Sequence, residues 1–154
     1  MKYLLISGFI IMILNSCSPI SNKQNDTASI DSLLHHGFDT TRFAIIRYDS
    51  TYYAVFKNDK PATFTVTDFL LTDSILNGVI IKNNIDIKRY KRQYVAVINN
   101  KGDKEIWINF FCNDWDKDWK KEIIIIKDGG DCFFNLKINL TTKTCYDFMI
   151  NGNA

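Results

Sequence analysis

Tyr94-Val95-Ala96-Val97-Ile98 and Lys104-Glu105-Ile106-Trp107-Ile108-Asn109-Phe110-Phe111-Cys112 flank Asn99-Asn100-Lys101-Gly102-Asp103. The outer runs are rich in β-branched and aromatic residues. The centre is built from Asn, Gly and Asp, which accept the backbone angles a reversal needs. That is the signal of a β-hairpin. The pattern continues toward the C-terminus. Residues 122–127 and 132–138 flank Asp128-Gly129-Gly130-Asp131, and residues 144–150 follow Leu140-Thr141-Thr142-Lys143. Four or five consecutive strands with short connections predict an antiparallel meander. Strands and helices do not alternate in this half, which argues against a parallel sheet there.

Upstream, Leu71, Ile75, Leu76, Val79 and Ile80 recur at helical spacing. Thr67 or Asp68 is placed to cap this helix, and Asn83-Asn84 to end it. Gly78 weakens it by about 1 kcal/mol relative to Ala. Further upstream, residues 43–48 and 52–56 are β-branched and aromatic runs around Asp49-Ser50-Thr51, again a hairpin signal. Residues 29–37 read as a short helix capped by Ser29 and closed by Gly37. The expected fold is therefore α+β: a curved antiparallel β-meander packed on one long helix, with an N-terminal hairpin and short helix.

The chain has 154 residues, with two Pro and seven Gly. That composition argues against a linker-rich or disordered chain. A net charge of +2 gives no bulk electrostatic case for nucleic acid. The first residues are of another kind. Lys2 precedes an almost unbroken apolar run from Leu4 to Leu14, followed by Asn15-Ser16-Cys17. The run is too short for a stable membrane span. A basic start, a short apolar core and a small residue before a cleavage point mark a secretory signal.

Leu14-Asn15-Ser16-Cys17 resembles the lipobox of bacterial lipoproteins. The resemblance implies cleavage before Cys17 and attachment of acyl chains, palmitate among them, to that residue. Ser18 in the next position resembles lipoproteins sorted to the outer rather than the inner membrane. The expected organisation is a signal peptide over 1–16, a polar flexible tether over 17–28 and a single α+β domain over 29–154. A coil of the tether's length spans on the order of 20 Å.

The remaining motifs point away from catalysis. No CxxC or HxxxH spacing supports zinc. Asp114, Asp116 and Asp118 alternate like the start of a calcium loop, but Trp119 and Ile125 stand where the loop needs Gly and Glu. His35 and His36 are adjacent, a poor chelate on a helix. No GxSxG elbow is present. Asp128-Gly129-Gly130-Asp131 lacks the Lys-Ser/Thr of a phosphate loop and reads as a tight turn. No metal and no cofactor is expected. Cys112 and Cys132 lie at strand edges beside turns and are disulfide candidates, the alternative being separate buried thiols. In a hairpin turning at Thr141-Thr142, Cys145 falls opposite Ile138 and stays unpaired. Lys88-Arg89-Tyr90-Lys91-Arg92-Gln93-Tyr94 interleaves four cations with two tyrosines. Lys88, Arg89, Lys91 and Arg92 could contact an anionic surface. The favoured reading is a solvated helix-to-strand connection whose tyrosines face the core.

Residues 90–94, Gly102-Asp103-Lys104-Glu105-Ile106-Trp107-Ile108-Asn109, Asp128-Gly129-Gly130-Asp131-Cys132-Phe133-Phe134-Asn135 and the terminal Asn151-Gly152-Asn153-Ala154 together resemble a group of small secreted or lipidated proteins from AT-rich Gram-negative bacteria. The resemblance implies a domain type over roughly 66–154 and carries no catalytic residue. The expected function is a membrane-anchored lipoprotein of the cell envelope, attached through lipid on Cys17, acting as a non-enzymatic binding or interaction protein for an unidentified envelope protein. A small-ligand carrier with a pocket between helix and sheet is the alternative, as is an inhibitor or immunity-type protein.

Overall fold

A computed structural model describes Leu33, His35 and residues 37–49, 51, 53–57, 59–112 and 118–152. The signal peptide, Cys17, the tether and residues 113–117 of the acidic loop lie outside the described residues, as do Ser29 and His36.

Six strands form one open mixed sheet: β1 (Phe43–Ile45), β2 (Lys60–Pro61), β3 (Lys91–Ile98), β4 (Lys104–Phe111), β5 (Phe133–Asn139) and β6 (Thr144–Ile150). Among the described residues a single long helix, α1 (Val66–Lys82), precedes β3. β3 through β6 are the expected antiparallel meander, in the order of the sequence. β1 and β2 share the other edge of β3, β1 parallel to Arg92–Tyr94 and β2 antiparallel to Val97–Ile98.

Two expected strand pairings are overturned. Residues 43–48 and 52–56 do not form a hairpin. β1 stops at Ile45 and pairs with β3, while Tyr53–Phe56 is one helical turn. The reason is packing. Phe43 belongs under the helix, 5.0 Å from the Phe69 ring and 5.9 Å from Tyr94. Phe56 packs on the opposite face, 5.7 Å from Trp107. A hairpin could not deliver both. The second overturned element is the strand at 122–127, which is irregular chain. β4 therefore pairs directly with β5.

Alternation along the strands gives the sheet two faces. One carries Tyr94, Ala96, Ile106, Ile108, Phe110, Phe134, Leu136 and Ile138, all buried against α1. The helix begins earlier than its sequence suggests. Thr65 is the N-cap, its hydroxyl accepting from the Asp68 amide at 3.1 Å while Asp68 Oδ2 accepts from the Thr65 amide at 2.8 Å. This reciprocal capping box satisfies two otherwise orphaned donors. The cap at the other end is Asn83, as expected. Phe69, Thr72, Leu76 and Ile80 form the buried face, with Leu71, Ile75 and Val79 on its flanks. Thr72 can sit there because its hydroxyl donates to the Asp68 carbonyl at 2.7 Å. Upstream, Leu33 and His35 are helical. Gly37, at φ 78°, gives the left-handed turn that lets the Phe38 amide bond back to the Leu33 carbonyl at 3.2 Å, the closure that ends many helices.

β6 contains a bulge. Asn135 faces Met149 and Lys137 faces Tyr146, so Asp147 and Phe148 together oppose Leu136. Asp147 takes φ 51°. The extra residue reverses the parity of the strand. It turns Phe148 onto the helix side, 5.7 Å from the Phe134 ring. Cys145 does lie opposite Ile138 and is a free, half-buried thiol.

Cys112 and Cys132 continue the register one step past Phe111 and Phe133. Their Cα atoms are 5.2 Å apart, a disulfide joins them, and the Cys112 amide donates to the Cys132 carbonyl at 3.1 Å. The bond closes a loop over a sequence separation of 20. Restricting a loop of that size in the unfolded chain contributes about 3 kcal/mol. Unfolding in denaturant with and without reductant is expected to show a loss of that order. Equal midpoints would refute it.

Candidate functional site

The second sheet face has a different chemistry. Its cross-strand rows run Lys91–Phe111–Phe133, Gln93–Asn109–Asn135–Met149 and Val95–Trp107–Lys137–Tyr146. The middle row places three side-chain amides side by side across β3, β4 and β5. Gln93 is fully buried and Asn109 nearly so.

Residues 118–127 lie over this face as a strap. Its chain direction is set by turns at Asp118, whose carbonyl accepts from the amides of Lys121 and Glu122 at 2.8 and 3.0 Å. The amide row then holds it. Gln93 Nε2 donates to the carbonyls of Trp119 and Glu122, each at 2.6 Å. Gln93 Oε1 accepts from the Ile124 amide at 2.9 Å, and Asn109 Nδ2 donates to the Ile124 carbonyl at 2.6 Å. Asn109 Nδ2 also donates to Gln93 Oε1 at 3.1 Å. Farther along, Asn151 Nδ2 donates to the Ile126 carbonyl at 2.5 Å. Ile124 is buried with Phe111 and Phe133. The backbone groups that a strand would give to a neighbouring strand go to side-chain amides here. This is why four consecutive isoleucines do not make a strand.

Strap and helical turn cover the β3 side of the face, and the strap meets only the far end of β6, where Ile126 is bonded to Asn151. The remainder is a cleft of about 270 Å³. Trp107, Phe133, Val55, Ile126 and Met149 supply its apolar walls, and Asn109, Asn135 and Asn151 their amides. Lys57, Lys137 and Asp147 add charge to the lining, and Lys137 pairs with Asp147 at 3.4 Å. Ile125 and Met149, both lining residues, are 58% and 61% exposed. These are large apolar side chains left in water beside a concave apolar surface. Asn135 Oδ1 accepts from Trp107 Nε1 at 3.3 Å. Its Nδ2 has no hydrogen-bond partner among the described residues.

A second hollow, near the β3–β4 and β5–β6 turns, is lined by Asp59, Asp103, Glu105, Asn99, Asn139, Lys137 and Tyr146 among others. Its polarity is mostly consumed by the turns. Asn99 Oδ1 accepts from the amides of Lys101 and Asp103, and Asn139 Oδ1 from those of Thr141 and Thr142, all at 2.9 Å. Glu105 is buried and takes a 2.6 Å bond from Asn99 Nδ2. Burial, followed by the charge of Glu105, raises the Asp59 carboxyl above the usual range. Burial and the Glu105 hydrogen bond raise the Tyr146 phenol.

The sequence-derived basic residues do not merge into one surface. Lys88 and Arg89 stand exposed on a 3-10 turn, Arg89 lying 3.9 Å from Asp131. Lys91 lies 5.2 Å over the Trp119 ring. Arg92 lies between the Phe43 and Tyr94 rings on the opposite face, with Nε buried. Tyr90 and Tyr94 are core residues. Tyr90 donates to the Asp131 carbonyl at 2.9 Å. The Tyr94 hydroxyl is buried with no hydrogen-bond partner among the described residues, and burial pushes its ionisation up to about 12. Of the acidic loop, only Asp118 and Trp119 are among the described residues, and Asp118 pairs with Lys121 at 2.7 Å. No group of three or more metal-ligating side chains occurs among the described residues.

Sequence reasoning missed the amide row. Gln93 stood at the end of the basic segment and Asn109 and Asn135 were polar interruptions in apolar runs, and their alignment depends on register. No family model, curated protein or solved structure matches this chain.

Proposed function

We propose that the chain is a lipid-anchored protein of the cell envelope, tethered through acyl chains on Cys17, that binds another envelope protein through the face away from α1. It performs no catalysis in this reading. Outer-membrane placement follows from Ser18. The observation that carries the binding role is the cleft beside β6, where Ile125 and Met149 stand exposed next to Trp107 and Phe133. Apolar surface grouped in this way marks interaction sites more often than scattered surface residues do. A carrier with its pocket between helix and sheet is less well supported. The rings of Phe43, Phe64, Phe69 and Tyr94 interlock there at centroid distances of 5.0–6.0 Å. Lys88 and Arg89 remain available to anionic head groups, a secondary contact that would reinforce the lipid.

The test uses the full chain in a bacterium that processes lipoproteins. A photoreactive residue is placed at Met149 or, on the exposed side of α1, at Asn77. The expected result is a lipid mass on Cys17 in the mature protein and one discrete adduct from position 149 that position 77 does not give. A mature N-terminus without lipid removes the anchor. Identical adducts from both positions, or none from 149, remove the binding face.

A further inference from the structure

We propose that the cleft takes an extended apolar peptide segment of the partner, its backbone caught by Asn135 as the chain's own Ile124 is caught by Gln93 and Asn109. This deepens the binding role proposed above and rests on it. The warrant is the strap, which is an internal peptide already bound to the same row of amides. Ile124 offers both backbone groups: its amide goes to Gln93 Oε1 and its carbonyl to Asn109 Nδ2. Its side chain meanwhile sits in an apolar seat between Phe111 and Phe133.

Asn135 is the next amide in that row, directly opposite Asn109. Its side chain is hydrogen-bonded to Trp107 and, among the described residues, to no group of the strap. Asn135 instead lines the cleft that continues the strap's seat toward β6, with Trp107 and Phe133 as neighbours in the lining. The unengaged Nδ2 of Asn135 is a donor set for a peptide carbonyl. Its oxygen, held by Trp107 Nε1, fixes the orientation of the amide. Side-chain amides present a donor and an acceptor in the geometry of a peptide group. They can therefore read a main chain without reading its sequence. Apolar walls then select the side chains. A folded, convex partner surface would not present free main-chain groups at this depth. An extended segment would.

Pairing along the outer edge of β6 is a poorer fit. The bulge at Asp147 interrupts the ladder there, a feature that discourages edge-to-edge addition. The proposed segment lies over the face and not along the edge.

The probe is the acetylated, amidated heptapeptide Lys-Glu-Ile-Ile-Ile-Ile-Lys, the sequence of residues 121–127. Its binding to the full chain in detergent is measured by calorimetry. A second peptide carries trans-alkene isosteres in place of the peptide bonds between the central isoleucines, which removes the carbonyl acceptors there while keeping an extended chain and the side chains. We expect the first to bind and the second to bind at least about tenfold more weakly, the loss of roughly one effective hydrogen bond. Asn135→Asp keeps the acceptor for Trp107 and removes the Nδ2 donor, so it is expected to weaken the first peptide by a similar factor at an unchanged melting midpoint. Asn77→Asp, on the far side of the molecule, is expected to change nothing.

Equal binding of the two peptides, or full binding to Asn135→Asp, overturns the inference. So does failure of both peptides to bind. If a discrete adduct from position 149 persists in that case, the binding face survives and only its peptide occupant is lost. If the peptides bind as expected and no adduct forms in cells, the envelope partner fails instead.

Discussion

Phe69→Ala is expected to lower stability by about 3–5 kcal/mol, the range for emptying a buried aromatic site. The ring is 1% exposed and sits at the centre of an aromatic cluster. Its centroid lies 4.7 Å from Phe38, 5.0 Å from Phe43, 5.3 Å from Tyr94 and 6.0 Å from Phe64. These neighbours come from the N-terminal segment, β1, β3 and the approach to α1. They cannot all close on the space left by one ring. The loss is a large share of a typical domain's total of about 5–15 kcal/mol. A fall in the melting midpoint on the order of 10–20 °C would follow. Ile80→Ala is expected to cost about 2–5 kcal/mol by the same reasoning, and Ile75→Ala less, because Ile75 lies on the flank of the helix. A midpoint for Phe69→Ala within a few degrees of the parent would show that this cluster is not the keystone of the core.

Gln93→Leu is expected to cost a similar amount, about 3–5 kcal/mol, through a different physical route. Leucine fits the volume but makes none of the four hydrogen bonds. The Ile124 amide, the Trp119 and Glu122 carbonyls and one Asn109 contact would lose their partner together. Each buried group left unsatisfied costs about 1–3 kcal/mol, reduced where water enters beneath a loosened strap. The discriminating measurement is amide hydrogen exchange. Ile124 should lose its protection in the variant, whereas amides in the β3–β4 ladder should keep theirs down to the new global stability. Unchanged exchange at Ile124 would mean that the strap is held by its isoleucines and not by the row of amides.

The meander was legible because its information is local. Asn99 to Asp103 carries its own turn chemistry, and the alternation of the flanking runs fixes which residues turn inward. Even the register that puts Cys145 opposite Ile138 followed from counting around one turn. The long helix was legible from its apolar spacing, although its start was not. Thr65 and Asp68 both bond inward to the same turn, and Thr67 is an equally plausible cap to the eye. The errors have one origin. The segments 43–56 and 122–127 have strand-like compositions, but their partners lie far away in the sequence. Phe43 is placed by Phe69 and Tyr94, and Ile124 by Gln93 and Asn109. No local pattern reports those contacts. The candidate cleft was illegible for the same reason, since Gln93, Asn109 and Asn135 become a row only after three strands have aligned. The bulge at Asp147 has no sequence signal either, because the residue taking a positive φ is not glycine.

The parallel pairing of β1 with β3 has a consequence for the order of events in folding. Hairpins such as β3–β4 close over a few residues and form on the microsecond scale. β1 has to wait. Its partner follows it only after the whole of α1, and the entropy of closing that long loop must be met before any contact rewards it. In a chain that emerges N-terminus first, Phe43 and Ile46 appear early and remain without their seats until Tyr94 and Val95 arrive. The docking of the earliest described strand is then expected to come late. The aggregation hazard of this protein lies in the interval before that docking rather than in the finished fold.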